Sequence, residues 1–396
     1  MEPRKLLSRA FAEAHIEIGR DIVVKDDRFY SRVLRGHSLG MGESYVEGWW
    51  DAPDLTGLFC KIISGLPGIR KYLKSNVRRT FSILLASMTN RQQRRKARRD
   101  VQSHYDIDQA LYETMLDENM VYSSAYFQSP AWTLGQAQEA KIDLIYQKLH
   151  LPEHESNGQQ PKVLDIGCGW GYALEYGARH YAIEGVGITL SENQLDLARQ
   201  HVYGLPVEIR LQDYRDLPED EKYDAIFSIG MLEHVGQKNY RAFMRAVSRH
   251  LKPNGLFLLH TIGSTKPGSL DSWMNKYIFP GAYIPSLSQI ARASQGVLIA
   301  QDFHNFGLYY ARTLEEWYAR FLKGWNQLQE IRPEFYNERF FRMWKYYLLT
   351  CAASFFTGYN ELWQIVYSKQ PLDKVYESVR SPRRIPQAHE NQVLIR

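Results

Sequence analysis

The chain of 396 residues has no run of about eighteen uncharged apolar residues, so no segment reads as a transmembrane helix. Its opening, MEPRKLLSRAFAEAHIEIGRD, lacks an apolar signal core and carries acids early, so no secretory signal is read there. Cysteine is scarce. Cys60, Cys168 and Cys351 are far apart and odd in number, which argues against a disulfide framework and a structural zinc site. No metal site is expected, and the expected compartment is the cytoplasm. No internal repeat or low-complexity tract is evident. One long segment has no acid at all. Between Leu55 and Arg99 stand twelve lysines and arginines and no aspartate or glutamate. The net charge of +5 therefore resides in that segment, and the rest of the chain is net acidic. That pattern points to a localised anionic partner.

Aromatic residues are abundant, at 13% of the chain, which favours an apolar ligand pocket or a lipid interface over a plain core. The length exceeds one ordinary domain and suggests a large domain with a smaller one. We expect a small N-terminal domain over residues 1–90, with DIVVKD as a strand. In GIRKYLKSNVRRTFSILLASMTN, residues 68–90, the apolar positions recur at helical spacing on one face, and most of the cations lie elsewhere. This is the pattern of a basic amphipathic helix. RQQRRKARRD follows, with six cations in ten positions. A solvated linker over 91–103 and a contact with anionic phosphate groups both account for it. Nucleic acid is not expected as a partner, because no aromatics interleave the run and no nucleic-acid motif appears.

A longer domain is expected over 104–396. Strand, glycine turn and helix alternate through PKVLDIGCGWGYALEYGARH, EGVGITLSENQLDLARQHV, VEIRLQDYRDL and YDAIFSIGMLEHV. NYRAFMRAVSRHLKPNG predicts a helix stopped by Pro253 and Gly255, and LFLLHTIG another strand. The fold class is therefore α/β, a mainly parallel Rossmann-like sheet with helices on both faces. Residues 312–368 read as aromatic-rich helices. Core packing and a wall around a long apolar ligand both explain them.

VLDIGCGWG is the most informative local signal. A strand delivers Asp165 to its carboxyl end, and Gly167, Gly169 and Gly171 let the backbone turn tightly beside a ligand. A dinucleotide site would share the glycine turn. The acid inside the motif suits S-adenosylmethionine, whose cationic aminoacyl end calls for a carboxylate. Thr189 and Gln194, after the second strand, can bond ribose or the aminoacyl end. Asp213, with Gln212 and Tyr214 beside it, can accept from the adenine amino group. Three successive strand ends thus converge on one crevice, where open parallel sheets bind ligands. Glu233 follows the fourth strand into the same crevice, as a base or as a brace for its loop. His260 ends the fifth strand beside it.

These blocks, with SLGMGESYVEGWW, HYDIDQALYETML, YSSAYF, WMNKYIFPGAYIPS, DFHNFGLYYARTL and FFRMWKYYLLTCAASF, resemble the cyclopropane-fatty-acyl-phospholipid synthases of bacteria over almost the whole chain. The mycolic acid cyclopropane synthases are more distantly similar and lack the N-terminal block. The resemblance implies a class I methyltransferase fold. It implies methylene transfer from S-adenosylmethionine to a cis double bond of a phospholipid acyl chain, through a carbocation that a bound bicarbonate deprotonates. It implies Glu233, His260, the backbone at Ile262 and Tyr310 as bicarbonate ligands, and Tyr122 and Ser123 as cofactor contacts. Where the family usually carries a cysteine near the bicarbonate, this chain has Ser124, whose hydroxyl can still donate. Cys351 matches a cysteine once favoured as catalytic. A thiolate beside a sulfonium would itself be methylated, and a small buried core residue is the alternative. A homodimer and a lipid-presenting N-terminal domain are further expectations, as is peripheral contact with the anionic inner face of the cytoplasmic membrane. Another lipid or amine methyltransferase of the same fold, or an idle membrane-binding scaffold, are the competing readings.

Overall fold

The computed structural model describes residues 2–76, 109–151, 159–265 and 268–383. The basic run at 91–100 and the linker expected over 91–103 lie outside them. Of the amphipathic stretch 68–90, only the beginning is described, within the helix Leu55–Asn76. Packing divides the chain into two compact units that are not consecutive in sequence. One comprises residues 1–115, 269–282 and 314–360, and the other residues 116–268, 283–313 and 361–396. The segments expected from the sequence, 1–90 and 104–396, divide the chain by order along it, whereas packing returns two later stretches to the N-terminal residues.

That first unit is helical. Helices Arg28–Val46 and Leu55–Asn76 pack with Glu338–Phe356, which brings the aromatic-rich tail against the N-terminal residues. Trp344, Tyr346, Tyr347 and Phe355 are buried there, so most of the aromatic excess is core. Arg342 fastens this packing. Its guanidinium donates to the carbonyls of Tyr45 (2.6 Å) and Trp50 (2.8 Å) and to Asp51 (3.1 Å). DIVVKD contributes only a two-residue strand, Val23–Val24, paired with Trp50–Asp51.

The second unit is the α/β sheet. Its strands are β1 (Lys162–Ile166), β2 (Glu184–Thr189), β3 (Val207–Leu211), β4 (Tyr223–Ile229), β5 (Leu251–Ser264), β6 (Ile299–Asn305) and β7 (Asn360–Ser368). The order across the sheet is β3-β2-β1-β4-β5-β7-β6. The first five are parallel, and β6 runs antiparallel to β7. Strand order reverses between β1 and β4, which opens a crevice at their carboxyl ends. Alternation within each strand feeds a core on each face. Leu164, Ile166, Ile226 and Phe257 meet the helices Tyr240–His250 and Leu287–Ser294. Val163, Phe227, Leu258 and Val366 meet the helices Leu134–Lys148, Tyr172–Tyr181 and Glu192–His201.

Two expectations are corrected. ELWQIVY, read as helical, forms β7: the helix before it ends at Phe356, Gly358 turns at φ 64°, and Trp363, Ile365 and Tyr367 then alternate with Leu362, Gln364 and Val366. Period-2 alternation of branched and aromatic residues outweighed the helical reading. The helix Tyr240–His250 also stops before Pro253 and Gly255. Its chain turns extended at Leu251, and β5 begins there. The register of β4 with β5 jumps from Tyr223↔Leu251 to Ala225↔Leu256, so Pro253 sits in a bulge where no ladder donor is required of it.

Candidate active site

The reversal point holds a cleft of about 620 Å³, within the ~300–1,000 Å³ of small-molecule sites. Asp165, Gly167, Gly169, Thr189, Gln194, Gln212 and Asp213 line it, as do Tyr122 and Ser123 from the segment before β1. Gly169, at φ 54°, presents open space where a Cβ would stand, so the backbone itself faces the cleft. Gly171 does not line it. It starts the helix Tyr172–Tyr181 at φ 86°, and a Cβ there would meet Ala198 at 3.3 Å. Its role in the structure is helix packing.

Asp165 is buried, and its Oδ1 has no hydrogen-bond partner among the described residues. Burial pushes its carboxyl up and pushes the neighbouring Lys141 ammonium down, each partly offset by the other's charge. Lys141 donates to the Ser123 hydroxyl (2.8 Å), and Gln138 donates to the Ser123 carbonyl (2.7 Å). An unpaired carboxylate oxygen at a strand end fits a cationic ligand group. Thr189 and Gln194 are bonded to each other (3.0 Å). Asp213 accepts from the Arg215 amide and guanidinium (2.9, 2.8 and 2.7 Å), which holds its pKa down.

A second polar group sits one strand over. In the parallel register His260 lies beside Ile229, and the Gly230 amide donates to the His260 carbonyl (2.9 Å). Glu233, on the short helix Leu232–Val235, is buried, and its Oε1 accepts from the Ile262 amide (2.7 Å). Burial pushes its carboxyl up to about 7, opposed by the Ile262 amide, its own amide and the Thr261 hydroxyl. Its Oε2 and the His260 Nε2 are both buried without a partner among the described residues. Burial, with Lys141 and Lys148 adding to it, drives His260 far below its usual range. A carboxyl poised near neutrality beside a neutral imidazole suits proton transfer.

The model of the mycolic acid cyclopropane synthetase family matches residues 92–365. The chain belongs to this family. It is 43% identical over 366 residues to the cyclopropane-fatty-acyl-phospholipid synthase of Escherichia coli (strain K12), covering 92% of each chain. Among solved structures, the cyclopropane synthase MmaA2 from Mycobacterium tuberculosis superposes with a TM-score of 0.60 at 30% identity, covering 68% of this chain and 98% of that one. The mycolic acid cyclopropane synthase CmaA1, complexed with SAH and CTAB, does so with a TM-score of 0.58 at 30% identity, with the same coverage. This chain shares with them the class I methyltransferase fold.

For a member of this family, the structure brings together Glu233, His260 and the Ile262 backbone, and it commits the Ile262 amide to Glu233. Phe306 links them to two further elements, with ring centroids 5.8 Å from His260 and 5.2 Å from Tyr126. Tyr310 lies four residues on, in the first turns of the helix Gly307–Ile331. Ser124, two residues before Tyr126, is fully buried, and its hydroxyl donates to the Ala125 carbonyl (3.0 Å). The next amide, of Ala125, donates to Thr313 (3.0 Å). Cys351 lies on the helix Glu338–Phe356 of the other unit, and burial, aided by Asp271, pushes its thiol up to about 12. That is the reverse of an activated nucleophile.

Lys141, Gln138, Lys148 and Gln364 were not anticipated. The first three lie on Leu134–Lys148, a helix buried almost all round. Within LGQAQEAKIDLIYQK no local signal separates the lysines from surface ones.

Proposed function

We propose that this chain is an S-adenosylmethionine-dependent methyltransferase that transfers a methylene group to the cis double bond of unsaturated phospholipid acyl chains, forming a cyclopropane ring. The observation that carries the reading is the pair of buried atoms, Glu233 Oε2 and His260 Nε2, that have no partner among the described residues and lie one strand from the cofactor cleft. Methyl transfer to a headgroup nitrogen or oxygen passes through no carbocation, whereas transfer to an alkene leaves a cation that must give up a proton, and ring closure takes that proton from the new methyl. A buried proton-accepting pocket therefore suits an alkene acceptor rather than a headgroup one.

In this reading the alkene pair attacks the sulfonium methyl, the carbon–sulfur bond breaks, and a carbocation remains. One proton leaves the new methyl, and the electron pair of that C–H bond closes the ring. Bicarbonate, when bound, would supply the proton acceptor. Glu233 Oε2, His260 Nε2 and the backbone at Ile262 would hold it, with Tyr310 and Ser124 as further ligands. Asp165 would hold the aminoacyl ammonium of the cofactor, and Tyr122, Ser123, Thr189, Gln194, Gln212 and Asp213 would complete that site. The apolar surroundings, Phe306 among them, would keep water from the cation.

The double bond lies midway along a bilayer chain. Drawing about eight methylenes into water would cost roughly 6 kcal/mol, at about 0.8 each, so the acyl chain needs an apolar passage. The acid-free segment through Arg99 would hold the protein on an anionic membrane, at about 1 kcal/mol per cation near the surface. The helical N-terminal unit would present lipid, and the active form would be a cytoplasmic homodimer. Among the described residues no helix is long and apolar enough to cross a membrane, and peripheral docking fits that. Charge reversal at Arg94, Arg95, Arg98 and Arg99 should abolish flotation with anionic vesicles; unchanged flotation would refute the docking.

The deciding assay is purified protein with S-adenosylmethionine, bicarbonate and vesicles of cis-monounsaturated phospholipid, read by NMR of the fatty acids. High-field ring protons replacing vinyl protons are expected. A methyl branch or a methylated headgroup would overturn the ring closure while leaving the cofactor reading standing.

A further inference from the structure

Behind His260 runs a chain of buried polar groups that belongs to neither the cofactor cleft nor the bicarbonate ligands. Gln364, fully buried on β7, places its Nε2 3.3 Å from His260 Nδ1. Its Oε1 accepts from Lys148 Nζ at 2.8 Å. The Lys148 side chain is also fully buried. Its remaining neighbours are His304 Nδ1 at 3.0 Å and Asp302 Oδ2 at 4.0 Å. Asp302 is held in turn by Arg380, at 2.6 Å from each carboxylate oxygen, and by Ser378 at 2.7 Å.

The direction of these bonds follows from what each group can do. An ammonium donates and cannot accept. Burial pulls the Lys148 ammonium down to about 7, opposed by the charge of Asp302; in its charged form it fixes the carbonyl end of Gln364 toward itself and leaves the amide NH₂ toward His260. An NH₂ cannot accept, so His260 Nδ1 must be the bare nitrogen of the ring. The ring proton then sits on Nε2, the nitrogen with no partner among the described residues. Gln364 Oε1 and His304 Nδ1 accept two of its N–H bonds, and Asp302, at 4.0 Å, supports its charge without a hydrogen bond. His304 is held down to about 3 by burial and by Lys148, so it is neutral and able to accept.

We propose that Gln364, oriented by Lys148, is a positioning residue that locks His260 as a neutral Nε2–H donor, so that the imidazole can hold an anion but cannot itself take a proton from the substrate. The purpose of this lock rests on the cyclopropanation reading above; the tautomer does not. The reaction needs one acceptor for one proton. A His260 that donates from Nε2 leaves that proton to the held anion and Glu233.

The test uses the full chain labelled with ¹⁵N-histidine, with the His260 signals assigned from His260→Asn. Long-range ¹H–¹⁵N correlation should show a pyrrole-type shift at Nε2 and a pyridine-type shift at Nδ1. In Gln364→Glu, near in shape, a carboxylate can only accept, so the proton should move to Nδ1. Ring formation should then fall at least tenfold at saturating cofactor, with cofactor affinity within twofold. Gln364→Asn, which keeps the amide, should preserve the Nε2–H signature. A wild-type ring protonated on Nδ1, or on both nitrogens at neutral pH, overturns the proposal, and that measurement needs no variant to fold. So does an unchanged signature and rate in a folded Gln364→Glu protein. If the wild type shows the expected tautomer but makes no cyclopropane, the function reading fails and the lock stands.

Discussion

The cofactor cleft and the Glu233–His260 pocket occupy the ends of neighbouring strands, yet they are built by opposite means. The cleft is made of loops. Its glycines, Asp165 and the turns after β2 and β3 each lie within a few residues of a strand end. The pocket is made of side chains brought from far apart: Glu233 from a short helix, His260 from β5, Gln364 from β7 and Lys148 from a helix before β1. One helix, Leu134–Lys148, serves both. Lys141 faces Ser123 and Asp165 at the cleft, and Lys148, two turns on, faces Gln364 behind His260. A site of loops can be tuned one position at a time, whereas a site of converging side chains depends on each partner's charge and orientation.

Removing the carboxylate that would hold the proton acceptor should separate the two pockets most sharply. Glu233→Gln should lower ring formation by about 10²-fold or more, the size of general base catalysis, with S-adenosylmethionine affinity by calorimetry unchanged. Next come the two lysines. Lys141→Met should weaken cofactor binding about tenfold, as expected for losing a hydrogen bond to or from a charged group, with turnover at saturation little altered. Lys148→Met should do the reverse. If both variants move the same constant, the division fails.

Stability against pH gives a third separation. The Glu233 carboxyl is raised in the folded chain, so between the ordinary glutamate value and about 7 the folded state holds more protons than the unfolded one. Its contribution is fully present below the unfolded pKa and is lost as pH rises through the folded one. Wild type should therefore lose stability relative to Glu233→Gln from pH 5 to pH 8, by up to about 3 kcal/mol, in melts of the ligand-free protein in carbonate-free buffer. A difference that is flat with pH would contradict the burial of a charge there. The smallest effects concern neighbours of the two pockets. Gly171→Ala, at φ 86° and against Ala198, should cost about 1–3 kcal/mol of stability and leave cofactor affinity within twofold. Ser124→Cys should change ring formation by less than about threefold, since both side chains are small donors.

The same contrast explains what could be read from the sequence. The cleft residues, Gly171 excepted, are where the motifs put them, because glycine turns and strand-end acids are local patterns. Glu233 and His260 were legible for the same reason, as each lies close to the carboxyl end of a strand, Glu233 four residues past β4 and His260 four before the end of β5. Their supports were not. Lys148 and Gln364 are 216 residues apart, and each looks ordinary in its own neighbourhood. Gln364 was further hidden because β7 follows an aromatic-rich helix and shares its composition; only the alternation from Leu362 to Tyr367 distinguishes it. The grouping of residues 314–360 with the N-terminal helices was equally out of reach, since it depends on which apolar faces meet.

The late position of Gln364 also bears on synthesis. Domains begin to fold during translation, at about 5–20 residues per second. Every residue lining the cofactor cleft lies between positions 119 and 239, so those residues leave the ribosome early. The partner that orients His260 comes more than a hundred residues later, with the strand that enters the sheet between β5 and β6. A nascent or C-terminally clipped chain would thus hold a complete set of cofactor residues before its proton-handling pocket is assembled. On the role proposed for Gln364, the last strand would act as a maturation step, with ring-closing competence arriving only at the end of the sheet.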